Sequence, residues 1–157
     1  MQENHKIQYC FQNCQKLVVF SRDGRSVLLA RRKGEADYDR VFSFIGGKME
    51  ITDESIIAGI QREKNEEVGG GFKIKLYPVF NSMILFFKKN GSRMVLPHYF
   101  AEHVDGQIKL NEEYSEYRWV PLNELNSFEP KIATIPTIVE NLLRLKLSMK
   151  TDEFVII

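Results

Sequence analysis

Apolar positions along this chain recur with two different periods, and the switch between them outlines its elements. KLVVFS (16–21) and RSVLLARR (25–32) are continuous apolar, β-branched runs, and Arg22-Asp23-Gly24 between them is a turn signal. That pattern predicts a β-hairpin. KGEADYDR (33–40) is a charged loop, and VFSFI (41–45) is a short strand running into Gly46-Gly47. FKIKLYPVF (72–80) reads as a strand, and residues 82–104 as two strands about a Lys-Asn-Gly turn. QIKL (107–110) and YRWVPL (117–122) add short strand segments. Helical spacing appears twice, over 54–68 and over 134–150, where Ile138, Leu142, Leu143 and Leu145 recur on one side. The order strands, helix, strands, helix predicts an α/β chain with a mixed sheet and helices packed on it. Residues 1–157 read as a single domain, with the polar stretch 1–14 as a loose N-terminal extension.

The first helix poses an electrostatic problem. Thr52 or Asp53 is its expected N-cap, and Glu54 falls where the helix dipole favours negative charge. Gly69-Gly70-Gly71 stops it after Val68. Ile57, Ile60 and Val68 share one stripe with Ile56 beside it, which places an apolar face on the sheet. Lys64 falls on the same stripe, with its alkyl stem packing there and its ammonium reaching outward. On another face lie Glu63, Glu66 and Glu67. Like charges at that spacing repel by a few tenths of a kcal/mol per pair, so a cation is expected among them. Converging carboxylate oxygens suit a hard divalent ion such as Mg²⁺ or Mn²⁺. Gly46-Gly47 lets the main chain approach the same point, so a carbonyl can join the oxygens. Arg62, four before Glu66, is placed to orient a carboxylate. Acid-rich helix faces that simply meet water are common, and only the full spacing argues for more.

Composition narrows the alternatives. The 43% hydrophobic and 27% charged content is that of a globular chain, and the formal net charge of +1 lacks the basic excess of a dedicated nucleic-acid binder. Neither a membrane span nor a secretory segment is recognisable, so cytoplasmic residence is expected, with no membrane partner. Cys10 and Cys14 lack a second pair for zinc, with His5 the sole histidine near them, and read as reduced thiols. His98 and His103 alternate with apolar neighbours and read as structural.

The stretch from Gly47 to Gly69 resembles the box of the Nudix hydrolase family, G-x5-E-x7-R-E-U-x-E-E-x-G-U with U apolar. Glu54, seven residues, Arg62-Glu63, two residues, Glu66-Glu67, one residue and Gly69 fall in place. Three positions depart from the pattern. Six residues rather than five separate Gly47 from Glu54, and Lys64 and Gly70 replace apolar residues. Asp53 competes with Glu54 for the first acidic position, and the spacing to Arg62 favours Glu54. Weaker likeness extends over residues 15–147, through LLARR and NEEYSEYRWVPLNEL.

The resemblance implies the Nudix fold, an α/β/α sandwich, and hydrolysis of a phosphoanhydride in a nucleoside diphosphate linked to a group X. It assigns Glu63, Glu66, Glu67 and the Gly46 carbonyl to a Mg²⁺ or Mn²⁺ ion. Catalytic candidates are Glu63, Glu66, Arg62 and Glu54, with Glu112, Glu113 and Glu116 as further candidates for the base. Arg31, Arg32 and Arg40 are candidates for the substrate phosphates, and Phe44 for the nucleobase. A nucleoside triphosphate is the expected substrate, and a nucleotide-binding module with little turnover is the alternative. A homodimer is left open.

Overall fold

The computed structural model describes residues 10–157. Eight strands and two helices follow one another as β1 (Gln12–Asn13), β2 (Lys16–Phe20), β3 (Ser26–Arg32), β4 (Phe42–Ser43), α1 (Ile56–Val68), β5 (Lys73–Phe87), β6 (Arg93–Asp105), β7 (Tyr114–Pro121), α2 (Ile135–Ser148) and β8 (Val155–Ile156). All eight strands share one mixed sheet, ordered β4-β3-β2-β6-β5-β8, with β1 beside β6 and β7 beside β3. β2 and β6 run parallel, and β2–β3, β3–β7 and β5–β6 antiparallel.

Alternation along the strands sends side chains to opposite faces. Val18, Phe20, Val27, Leu29 and Phe100 meet Ile135, Ile138, Val139 and Leu142 of α2. Leu17, Val19, Leu28, Ala30 and Ala101 meet Ile60 and Val68 of α1. The result is the three-layer α/β/α sandwich of the Nudix fold. Each fully buried Leu, Ile or Phe contributes about 1.5–3 kcal/mol, so both helices are held chiefly by these stripes.

A fork in the sheet positions the site. β2 and β3 share a ladder pair only at Phe20↔Val27. Further along, the chain leaving β4 enters between them, and Leu17 and Gln15 donate their backbone N–H to Ile45 O and Gly47 O, both at 2.9 Å. Gly46 and Gly47 thus lie in the cleft of the fork, facing Glu63 and Glu67 in the C-terminal half of α1.

Several expectations need correction. Ser55, not Thr52 or Asp53, caps α1, its hydroxyl accepting from Ala58 N at 3.0 Å. Residues 73–87 form one strand rather than two, with Pro78-Val79-Phe80 looped out where the register slips between Tyr77 and Asn81. Pro78 has no N–H to give the ladder, which accounts for the break there. Residues 107–110 are not a strand; they cross the end of α1, where Lys109 N and Asn111 N donate to Val68 O and Glu67 O. Of the expected loose start, residues 12–13 pair with β6, while residues 1–9, His5 among them, lie outside the described residues.

Lys64 does not reach outward. It is 0% exposed, and its Nζ donates to Phe72 O at 2.7 Å. Burial lowers its pKa to about 8. The stem fills the apolar stripe as expected, but the head turns inward because that carbonyl offers a partner.

Candidate active site

The acids of α1 are met by two cations from different elements. Arg62, on the helix itself, gathers carboxylates on either side of it. Its Nε and Nη2 donate to the two oxygens of Asp53 at 2.8 and 2.9 Å, and Nη1 donates to Glu63 at 2.8 Å and to Glu66 at 3.4 Å. Nη2 also reaches Lys48 O at 3.0 Å, and Glu50 lies 3.6 Å away. The Asp53 pair is bidentate, the stronger form of a charge-assisted bond. Arg62 holds the Asp53 carboxyl down at about 2, with the Glu50 N–H adding to the effect. Asp53 in turn raises the already high pKa of Arg62.

Lys16 supplies the second cation. At the start of β2 it is only 6% exposed, and its Nζ donates to Gly46 O at 2.6 Å. Gly46 N donates to Glu67 Oε2 at 2.5 Å, and Tyr114 Oη donates to Glu67 Oε1 at 3.0 Å. Glu67 is therefore a buried carboxylate fixed at both oxygens. Burial pushes its pKa upward, against the pull of Lys16. Burial also raises Glu63, opposed by Arg62. Tyr114 is driven well above its ordinary pKa by burial and by Glu67, so it acts as a donor.

Both glycines of the cleft are required by contact. A Cβ on Gly46 would run into the Gln15 carbonyl, and its φ of 116° is itself left-handed. A Cβ on Gly47 would overlap the Glu63 carboxylate. The main chain and the acids of α1 meet there with no side chain between them.

A cavity of about 430 Å³ opens from this cleft. Its lining is mixed: Glu63, Glu67, Glu113, Lys16 and Arg32 supply charge, and Phe44, Ile84, Phe86, Leu96 and Ile135 supply apolar surface, with His98 across the β2–β6 ladder from Lys16.

The structure sorts the remaining candidates. Glu54 is exposed and precedes the cap, outside the helix register, and the carboxylate that meets Arg62 from that loop is Asp53. The structure thus places Asp53 rather than Glu54 against Arg62. Arg32 lines the cavity, bound to Glu35 at 2.8 Å, with its Nε unpartnered. Arg31 is instead engaged with Arg40 O at 2.8 Å and Glu116 at 3.2 Å, and Arg40 stands in solvent. Of the three arginines, only Arg32 lines the cavity. Glu116 is taken by Arg31 and Arg118, while Glu113 faces the cavity and Glu112 is exposed. His103 stacks on Phe72 and Trp119, a structural place. His98 lines the cavity, contrary to the structural reading. Lys16, Tyr114 and His98 carried no signal of function because each sits in an ordinary strand pattern.

Among the described residues, no three His, Cys, Asp or Glu side chains stand close enough to grip a metal ion as they are placed. The donor set still fits one. Its oxygens are hard, two glycines clear the approach, and the Lys16 ammonium already sits on the Gly46 carbonyl, where a cation is wanted.

Comparison with known proteins bears on the family and the fold. The NUDIX domain model matches residues 15–142. No curated protein matches the chain. Among solved structures, a MutT protein from Methanosarcina mazei Go1 is 22% identical, with a TM-score of 0.70 over 88% of this chain and 97% of that one. A C. elegans Ap4A hydrolase in a binary complex is 13% identical, with a TM-score of 0.71 over 88% and 99%. The NUDIX domain of Shewanella oneidensis NrtR, complexed with ADP ribose, is 18% identical, with a TM-score of 0.67 over 92% and 94%.

Proposed function

Since the chain belongs to the Nudix hydrolase family, whose members act on nucleoside diphosphate derivatives and generally use divalent metal ions, we propose that it hydrolyses a phosphoanhydride bond of a nucleoside triphosphate with Mg²⁺ or Mn²⁺. The observation that carries this reading is one open cavity of about 430 Å³ whose lining combines carboxylates, the Lys16 ammonium and Arg32 with aromatic and apolar side chains. Charged groups of that kind suit phosphates and a divalent ion, and the apolar ones suit a nucleoside.

Glu66, Glu67 and the Gly46 carbonyl would hold the ion, with Glu63 beside them. When bound, the ion neutralises the phosphates and sharpens the attacking water. Glu67 orients the group, because Gly46 N and Tyr114 Oη fix both its oxygens. Glu63, raised by burial and packed against Gly47, takes the proton of the water on its carboxylate. Arg62 keeps that carboxylate aimed, and Asp53 keeps Arg62 in place. Arg32, which lines the cavity, is the arginine placed to receive substrate phosphate.

A second reading, nucleotide binding with little turnover, is favoured by the engagement of every acid with protein donors. The two are separated by incubating nucleoside triphosphates, dinucleotide polyphosphates and nucleotide sugars with Mg²⁺, Mn²⁺ or EDTA and identifying products by ³¹P NMR. Metal-dependent release of pyrophosphate or phosphate from triphosphates is expected. Binding without products would establish the second reading. No helix among the described residues is long and apolar enough to cross a membrane. Cytoplasmic residence belongs to this proposal as well.

A further inference from the structure

Among the described residues, the cavity lining holds one imidazole nitrogen without a protein partner. His98 Nδ1 lies 2.9 Å from Leu96 O and 3.3 Å from Ser82 O. Both neighbours are carbonyls and can only accept, so Nδ1 carries the proton. Nε2 is then a bare lone pair, and no protein donor meets it among the described residues. The ring cannot easily turn to hide it, because Phe44 packs against it edge to face at 5.6 Å. Burial, reinforced by Lys16 across the ladder, keeps His98 neutral, its pKa near 4.

Four residues back along β6, where Phe86 pairs with Met94, the cavity lining is aromatic again. Tyr38 leans on Phe86 at 5.5 Å, and both line the cavity with Phe44. Tyr38 has φ 57° and Arg40 φ 59°, a left-handed backbone that non-glycine residues rarely adopt. That loop is latched at both ends. Lys89 N and Nζ donate to Asp37 Oδ1 and Ala36 O at 3.2 and 3.3 Å, and Arg31 Nε donates to Arg40 O. A strained backbone held by its surroundings is characteristic of ligand clamps.

Resting on the nucleotide reading above, we propose that the slot of the cavity beside Phe44 and His98 receives the nucleobase and that His98 Nε2 accepts a hydrogen bond from an N–H on the base's Watson–Crick edge. His98 is then a specificity-determining residue, and the substrates are nucleotides whose base keeps that N–H. A base methylated there presents a methyl group to a buried acceptor, leaving it unpaired. Water filling the slot in all states is the competing outcome.

The test compares kcat/KM for ATP, GTP, CTP and UTP with N6,N6-dimethyl-ATP, N1-methyl-GTP, N4,N4-dimethyl-CTP and N3-methyl-UTP. Wild type is expected to lose about 10-fold or more on methylation of its preferred base. His98→Phe, which keeps the ring and removes the acceptor, is expected to close that gap. Equal rates in wild type, or a gap that survives in His98→Phe, would overturn the proposal. The imidazole ¹⁵N spectrum of wild type, taken in EDTA with AMP, GMP, CMP or UMP added, reads the contact without turnover. An upfield shift of Nε2 with at least one of them is expected, and no shift with any is contrary. Should Nε2 respond while no triphosphate is hydrolysed, the hydrolase reading fails and the slot stands.

Discussion

At the scale of single residues, the acids of α1 are tolerated because each faces a donor of fixed geometry. Asp53 does most for Arg62, taking two of its N–H groups. Asp53→Asn keeps the size but loses the charge, which frees the guanidinium to settle on Glu63 and Glu66. Steady-state kinetics should show activity lowered by about 10- to 100-fold, as when partners that orient metal-binding groups are lost. Unchanged activity would mean that Arg62 needs no such anchor. His98 gives a pH signature. Its folded pKa is near 4, below the ordinary 6.5, so the unfolded chain takes up the proton first. Its contribution is present above about 6.5 and is lost as pH falls toward 4, on the order of 3 kcal/mol across the window. Urea unfolding at pH 7 and pH 4.5 should show wild type losing more stability than His98→Phe. Parallel losses would place the neutral imidazole elsewhere.

At the scale of elements, Gly59 in α1 carries a prediction. Exchange of a helical glycine for alanine ordinarily adds up to about 1 kcal/mol. Here a Cβ would meet Asp53 Oδ2 at 2.8 Å and Gln15 Oε1 at 3.0 Å. Asp53 is pinned by Arg62 and cannot give way cheaply. Gly59→Ala should therefore lower Tm and activity together, and a rise in Tm would show the contact to be soft. Elements with strong periodicity were legible in the sequence: α1, α2 and the β2, β3 and β6 strands all fall where the pattern places them. The acids of α1 were legible because their spacing lies within one helix. What escaped notice depends on long-range pairing. The fork that brings Lys16 to Gly46 spans thirty positions, and the strap over Val68 breaks an alternation that looked like a strand. Asp53 and Ser55 exchanged roles with their neighbours because one extra loop residue shifts the cap without altering the spacing beyond it. Lys64 was misjudged in its head alone, since no local pattern reveals the Phe72 carbonyl.

At the scale of the molecule, the near-neutral net charge conceals a concentration of paired charge at one cavity. Positive and negative groups cancel in the sum and meet in the fold, Arg62 on Asp53 and Glu63, Lys16 beside Glu67. The sandwich places α1 on one face and α2 on the other, and the split between β2 and β3 lets residues of both faces reach one opening. The proposed phosphoanhydride hydrolysis would need a divalent ion held by Glu67 and the Gly46 carbonyl at this opening, with Glu63 and Glu66 beside them. The most direct measurement is the rate of nucleoside triphosphate hydrolysis in Mg²⁺ and in EDTA, by wild type and by Glu67→Gln side by side. Gln keeps an acceptor for Gly46 N or Tyr114 and leaves the apolar stripe of α1 intact, so the fold should survive, as circular dichroism would show. Hydrolysis by wild type in Mg²⁺, abolished by EDTA and reduced by about 100-fold or more in Glu67→Gln, is the predicted result. A folded Glu67→Gln as active as wild type, or hydrolysis indifferent to EDTA, would contradict it.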